Sequence, residues 1–585
     1  MVTPACVAPA MVLHDYRLPK SAVQVDGDCH IVPRCTGNRN LQMPKYMTSW
    51  TLTALLLLSA AGRAEPQTPS DWPSFGYDQQ RGGWNTAETT LSPANVGHLK
   101  LLWTTQLPTP PVDTSLSTLT APLVAGGVDT PQGRKNLVFT VGIDDTIFAI
   151  DADGGQVVWQ KTFPNPTKPL RPANTNCANT EQATPVIDRA AGVIYFTTSD
   201  GKLRGLSLAS GEEKLTPMPF VAPFSRNWSL NLVKGVIYTA AGRGCGGDAL
   251  QPIEAGSVSA MDIGDPGHPQ LSRFLTGRGR PAGPWGRGGP VAGPLGVYVQ
   301  TADGNRDPAG GVFGNTVLAV QPKAYGIADS FIPPSWKNLN AKDLDLGSGS
   351  PIIFPFKDRI LLATSSKEGV IYVLDAKNLG GGAAGDHSKA LYTSPRIGND
   401  DEKYYGHGVW GSFSTWQDTQ GARWLYVPLW GPPAKDGFQF PESHGPAPHG
   451  SVMAFQVTDD SQGISLTPQW MSRDMAVPDN VAVANGVVYA VQTGEQTLQH
   501  MTNPEAHGRA EPGQQAETTA SLARFRSTPL APMMLFALDA RTGKELYSSG
   551  TLLGNWVHFS QPAVAQGKVF LVSHDAHVYA FGLKH

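Results

Sequence analysis

The sequence predicts an all-β fold, an eight-bladed β-propeller of four-stranded antiparallel blades closed by an N-terminal strand. Three observations carry this. First, Gly-bounded runs of β-branched and aromatic residues recur, beginning at Val138, Val193, Val236, Val297, Ile360, Trp424, Val487 and Val569. Their spacing of roughly 40 to 80 residues is that of units that bury their faces only against neighbours. Second, the 64 Gly and 49 Pro lie between these runs and not in one tract, as many tight turns require. Third, the last run, Val569 to Phe581, lacks a fourth strand before the chain stops, while Leu99 to Leu107 is a strand without a blade. Joining the two closes a ring and removes its exposed sheet edges.

From the N-terminus, residues 1–42 show no periodicity and precede a usable start, so they read as a leader or a mis-assigned translation start. Residues 43–64 read as a signal peptide starting at Met43 or Met47. Lys45 precedes the apolar run Thr51 to Ala61, and Gly62-Arg63-Ala64 follows it with small residues where a signal peptidase reads. The run is shorter than the roughly 20 residues a membrane span needs, so no integral span is expected after processing. Residues 65–585 then form one propeller domain. The location implied is periplasmic or secreted.

Each copy of the repeat follows one pattern. Val138-Phe139-Thr140 leads to Phe148-Ala149-Ile150-Asp151, and Val193-Ile194-Tyr195 leads to Leu203 and Leu206. Two copies carry the fuller pattern Ala-x-Asp-x-x-Thr/Gly-Gly-x-x-x-aromatic: Ala149, Asp151, Gly155, Trp159, and Ala537, Asp539, Gly543, Tyr547. Gly205, Ser207, Gly211 and Leu215 form a weaker third.

Charge excludes some partners. With 45 Lys+Arg against 48 Asp+Glu there is no broad basic field to hold nucleic acid or an acidic membrane surface. Removal of the leader leaves Cys177 and Cys245, an even pair in an oxidising compartment, and a disulfide between them is expected. Neither a haem attachment motif nor a paired Cys-x-x-Cys zinc site is present.

The opening segment Trp72-Pro73-Ser74-Phe75-Gly76-Tyr77-Asp78, then Leu91-Ser92-Pro93-Ala94-Asn95-Val96 and Leu99-Lys100-Leu101-Leu102-Trp103, resembles the start of the quinoprotein (pyrroloquinoline quinone, PQQ) alcohol dehydrogenases. With the repeats, the resemblance runs from Trp72 to Leu583. It implies that the repeat's aromatic residue docks on the neighbouring blade. It also implies a site with an aromatic floor for PQQ, a hard cation held by oxygen ligands, a catalytic carboxylate and a cation reaching the quinone oxygens.

By that resemblance Trp285 is the floor, standing 18 residues before Asp303. Asp303 takes the place of a metal-ligating Asn, and Ca²⁺ or a lanthanide accepts either oxygen donor. Glu254 falls near the family's glutamate ligand. Asp343 matches the catalytic aspartate and a metal ligand, and Asp345 resembles the extra carboxylate of lanthanide-using members. Lys367, in Ser366-Lys367-Glu368-Gly369, matches the turn that reaches the quinone. One departure stands out: Cys177 is flanked by Asn176 and Ala178, so the disulfide between adjacent cysteines that often covers the quinone in this family cannot form.

Taken singly, Trp285 fits blade packing, and Asp343, Asp345 and Lys367 fit solvated loops. Their joint order carries the functional reading. The long insertions Gly242 to Glu254, Asp303 to Gly314, Trp430 to Gly450 and Thr493 to Pro532 all join second to third strands, so they share a face with the loops entering each blade. His407, His444, His449, His500 and His507 lie in or near them with a spacing that matches no zinc motif. The resemblance implies an exported oxidoreductase acting on an alcohol or related hydroxyl compound, with a separate electron acceptor such as a cytochrome c. The competing expectation is a non-catalytic propeller, a binding or scaffold protein of the cell envelope that keeps only the framework. A hydrolase lacks any recognisable nucleophile setting.

Overall fold

The computed structural model describes residues 70–109, 118–169, 180, 183–243, 256–265, 267–278, 282–381, 387–398, 408–495 and 529–584. Eight sheets of antiparallel strands follow one another along the chain. Blade 1 comprises Leu123–Thr130, Gly133–Val141, Thr146–Asp151 and Val157–Thr162. Blade 2 runs from Val186–Asp188 to Glu213–Pro219, blade 3 from Asn231–Val233 to Gln270–Leu275, and blade 4 from Val291–Gly293 to Ile327–Phe331. Blade 5 runs from Ile352–Phe356 to Tyr392–Arg396, blade 6 from Ser414–Gln417 to Gly463–Met471, and blade 7 from Ala482–Ala484 to Glu545–Ser548.

Blade 8 is built from both ends of the ring. Its strands Ala563–Ala565, Lys568–Val572 and His577–Leu583 accept Leu99–Gln106 as the fourth. The antiparallel register runs from Leu99 opposite Leu583 to Gln106 opposite His577, as the unpaired strand in the sequence predicts. Closure leaves no first or last blade with a bare face.

Hydrophobic cores lie between blades. One cluster joins Leu362 and Leu374 of blade 5 to Tyr298 and Ala319 of blade 4, and another joins Tyr426 and Ala454 of blade 6 to Val488 and Phe536 of blade 7. The largest links blades 7, 8, 1 and 2. Middle strands are therefore covered on both faces, and Thr146–Asp151 and Val487–Gln492 are buried at every position. That is why they read as continuous apolar runs, whereas the outer strand Val157–Thr162 is partly covered or exposed at every position.

The docking that the resemblance implies is present. Trp159 donates its indole N–H to Leu208 O of blade 2 at 3.0 Å, and Trp103 of blade 8 reaches Ala152 O of blade 1 at 3.1 Å. Trp470 of blade 6 reaches Ala540 O of blade 7 at 3.1 Å. Each indole lies on a glycine of the receiving turn. A Cβ on Gly211, Gly155 or Gly543 would stand 2.7, 2.7 or 2.4 Å from the ring, and all three have positive φ. Tyr547 meets Phe581 of blade 8 edge-on, with centroids 6.3 Å apart.

In an antiparallel blade the start of the first strand and the connection between the second and third lie at the same end. Trp285, Asp303, Asp343, Asp345 and Lys367 all fall in these two kinds of loop, and ring closure brings them towards one axis.

Candidate functional site

Asp343 ends the short helix Trp336–Lys342, where its backbone turns left-handed (φ 53°, ψ 40°), a conformation that aspartate tolerates better than most residues. Leu344 and Leu346, which alternate with Asp343 and Asp345, are buried in the core between blades 4 and 5. Burial of the leucines anchors the segment and directs the two aspartates to the other side. Asp303 enters from the connection between the second and third strands of blade 4. Its backbone N–H donates to Asp345 Oδ1 at 2.9 Å. Asn315 Nδ2 donates to Asn340 Oδ1 at 2.6 Å and approaches Asp303 Oδ1 at 3.4 Å, so an amide pair backs the cluster.

Carboxylate oxygens of Asp303, Asp343 and Asp345 lie within 4.8 Å of one another. Lys367 is set between them from the turn joining the second and third strands of blade 5. Its Nζ donates to Asp345 Oδ2 (2.8 Å), Asp343 Oδ2 (3.3 Å) and Asp343 O (3.0 Å). The lysine is 3 % exposed. Burial works against its charge, but Asp343 and Asp345 outweigh that and hold its pKa above the usual lysine range. Three carboxylates facing one ammonium still leave an excess of negative charge. Burial first, and then the charge of Asp345, push Asp303 up to about 9.

Aromatic rings form the adjoining wall. Lys367 Nζ lies 5.4 Å from the Trp285 ring centroid and 4.6 Å from that of Trp410. Trp285 meets Trp410 edge-on at 5.7 Å, and Trp410 stacks on Trp430 at 4.9 Å with 6° between the planes. Nearer the axis Arg287 donates to Asp479 Oδ2 at 2.5 Å and lies over Phe559, 3.1 Å from its centroid. A small cleft opens there, walled by Phe75, Thr120, Thr184, Trp228, Arg287 and Phe559.

Trp285, Asp303, Asp343, Asp345 and Lys367 are thus brought together. Glu254, Cys177, Cys245 and residues 1–64 lie outside the described residues. So do His407, His500 and His507, while His444 contacts Thr542 O and His449 pairs with Asp474. The sequence pattern did not place Trp410, Trp430, Arg287 or Asp479 in the site. A positional signal existed for three of them: Arg287, Trp410 and Asp479, like Trp285, stand in loops entering a blade.

A donor set made wholly of oxygens, with one lysine among three carboxylates, has the chemistry a hard cation requires. The partly open Trp285 face beside Lys367 has the chemistry a planar, electron-poor ring requires.

Repeats, ring closure and docking aromatics make the chain an eight-bladed β-propeller similar to those of the PQQ-like family. A PQQ-repeat family model described as "Outer membrane protein assembly factor BamB" matches residues 97–240, about a quarter of the chain. The fold is similar to quinohemoprotein alcohol dehydrogenase from Comamonas testosteroni, at 14 % identity over 89 % of this chain and 82 % of that one, with a TM-score of 0.52. A quinohemoprotein alcohol dehydrogenase from Pseudomonas putida HK5 matches at 13 % identity over 88 % of this chain and 80 % of its own, with a TM-score of 0.53. A europium-containing methanol dehydrogenase matches at 14 % identity over 88 % of this chain and 89 % of its own, also with a TM-score of 0.53. No curated protein matches the sequence.

Proposed function

We propose that the chain is an exported quinoprotein-type oxidoreductase, dependent on PQQ and on Ca²⁺ or a lanthanide, that oxidises an alcohol or related hydroxyl compound. The observation that carries this reading is the convergence of Asp303, Asp343 and Asp345 on Lys367 beside Trp285. Asp303, Asp343 and Asp345 would hold the cation, with Glu254 as a further ligand. When bound, PQQ supplies a two-electron acceptor. Trp285 offers the face on which its ring would lie, and Lys367 directs positive charge to that face. Asp343, at the end of its helix and more open to solvent than Asp345, is placed to take the substrate's hydroxyl proton. Trp410 and Trp430 exclude water from one side. Electrons would leave to a separate acceptor such as a cytochrome c, since the chain has no haem attachment motif. The apolar run Thr51 to Ala61 supports export to the periplasm or beyond, with the propeller spanning 65–585.

A second reading, a binding or scaffold propeller of the cell envelope, is favoured by the family model over 97–240. Purified protein supplied with PQQ and either Ca²⁺ or La³⁺ separates the two. The oxidoreductase gains the quinone absorbance and dye-linked alcohol oxidation. A scaffold gains neither, and that result would reject the enzymatic reading.

A further inference from the structure

The segment Trp72 to Asn85, which includes most of the opening motif, takes no part in the chemistry above, yet eight of its fourteen residues are buried. Trp72, Phe75, Arg81 and Asn85 are each no more than 2 % exposed. The segment adds one short strand to a blade, Trp84–Asn85, which pairs in parallel with Val483 and Ala484 of blade 7. It winds once around the axis, and its polar atoms meet every blade in turn.

On blade 1, Val124 N–H donates to Trp72 O at 2.9 Å, and the reverse bond is also made at 2.9 Å. On blade 2, Ile187 N–H donates to Pro73 O at 2.8 Å. At blade 3, Asn231 Nδ2 donates to Gln79 O at 2.9 Å and Arg81 Nη2 to Leu230 O at 2.8 Å. Four successive blades then repeat one contact. Ala292 N–H donates to Gln79 O (2.8 Å), Ile353 N–H to Gln80 O (3.1 Å), Thr415 N–H to Gly82 O (2.8 Å) and Val483 N–H to Gly83 O (2.7 Å). Blade 8 is reached by Asn85 Nδ2, which donates to Val564 O at 2.7 Å.

First strands of a propeller face the channel and have no neighbour on that side, so their inward N–H groups need a partner. Here six of them, at Val124, Ile187, Ala292, Ile353, Thr415 and Val483, are satisfied by carbonyls of a single segment. Space is tight as well as polar. A Cβ on Gly83 would lie 2.2 Å from Ser414 Oγ, and its φ of +67° also favours glycine. Phe75 of the same segment walls the axial cleft that also contains Arg287 and Phe559.

We infer that Trp72–Asn85 is an intramolecular clasp that seals the channel beneath the axial cleft and releases from all eight blades as one unit. A carbonyl in the middle of the segment cannot leave its blade without dragging its neighbours, because the stretch Gln79 to Gly83 is held by five different blades, 3 to 7. Sequence-distant parts of the ring thereby share one opening event. The inference is independent of any cofactor.

Native-state hydrogen exchange followed by mass spectrometry on the full chain tests it. The amides of Val124, Ile187, Ala292, Ile353, Thr415 and Val483 should open with one common free energy and one common dependence on denaturant, below global unfolding. In Arg81→Ala, which removes the bonds to Phe75 O and Leu230 O, all six should exchange faster by the same factor, roughly tenfold or more, while middle-strand amides such as Val488 stay protected. Should Arg81→Ala fail to fold, the wild-type profile alone decides. Six amides that open with six different energies, each following its own blade, or that open only with global unfolding, would overturn the clasp.

Discussion

Lys367 donates to Asp345 Oδ2 across 2.8 Å from a side chain that is 4 % exposed. Its ammonium is placed among three carboxylates, and its neighbours are set by blades 4, 5 and 6. Removing one member of such a buried pair strands the other charge, at a cost of about 3 to 5 kcal/mol. Lys367→Met should therefore lower the denaturant midpoint strongly when cations are absent. Adding La³⁺ should recover more stability in the variant than in the wild type, because the cation then replaces the lost positive charge. Equal midpoints for the two proteins in a chelating buffer would refute this.

Asp303 stands where the resembling family has a neutral amide, so once a bound cation displaces its proton the three-aspartate cluster carries one more negative charge than that pattern. Asp303→Asn should weaken La³⁺ binding more than Ca²⁺ binding, since a trivalent ion gains more from each added charge. Tb³⁺ luminescence sensitised by Trp285 and Trp410 provides the readout, with La³⁺ and Ca²⁺ as competitors. Unchanged relative affinities would place the cation elsewhere.

Asp145 ties blade 1 to blade 2 by accepting bonds from Ser199 Oγ and, at 2.8 Å, Ser199 N–H. Burial raises its pKa from 3.8 to about 6, against the pull of those bonds. Its folded pKa thus exceeds its unfolded one, so its contribution is fully present below pH 3.8 and is lost as pH rises through about 6. The window is worth on the order of 3 kcal/mol. Asp145→Asn should abolish that slope, so the stability difference between wild type and variant should change between pH 4 and 7 in urea titrations. Parallel pH profiles would contradict the assignment.

Gly543 takes the Trp470 indole where a Cβ would lie 2.4 Å from the ring, and its φ is +69°. Gly543→Ala should destabilise the joint between blades 6 and 7 by about 1 to 3 kcal/mol through overpacking and backbone strain. Trp470→Phe, which keeps most of the ring but loses the N–H to Ala540 O, should cost about 1 kcal/mol. Thermal unfolding with tryptophan fluorescence measures both. A fully tolerated Gly543→Ala would mean that the docking turn yields.

The repeat was legible because it is local. The run beginning at Val487 and the turn around Gly543 record their own strand and their own blade–blade joint within about 60 residues of chain. The unpaired strand Leu99 to Leu107 and the incomplete last blade announced ring closure for the same reason. Trp285, Asp303, Asp343, Asp345 and Lys367 could be picked out by their order along the resembling family's pattern. Their being within reach of one another could not, because it depends on blades 4 and 5 being turned to one axis.

Tertiary structure alone decided three further features. Trp410 and Trp430 join the wall of the site only because the bridge between Gly408 and Trp430 folds one loop back onto another. Asp145 meets Ser199 across a blade boundary, with no pattern in either turn to announce it. The clasp places carbonyls from residues 72–83 against amides as distant as Val483. Such contacts leave no periodic trace, since a backbone carbonyl is the same in every residue and its partner is chosen by where the closed ring puts it.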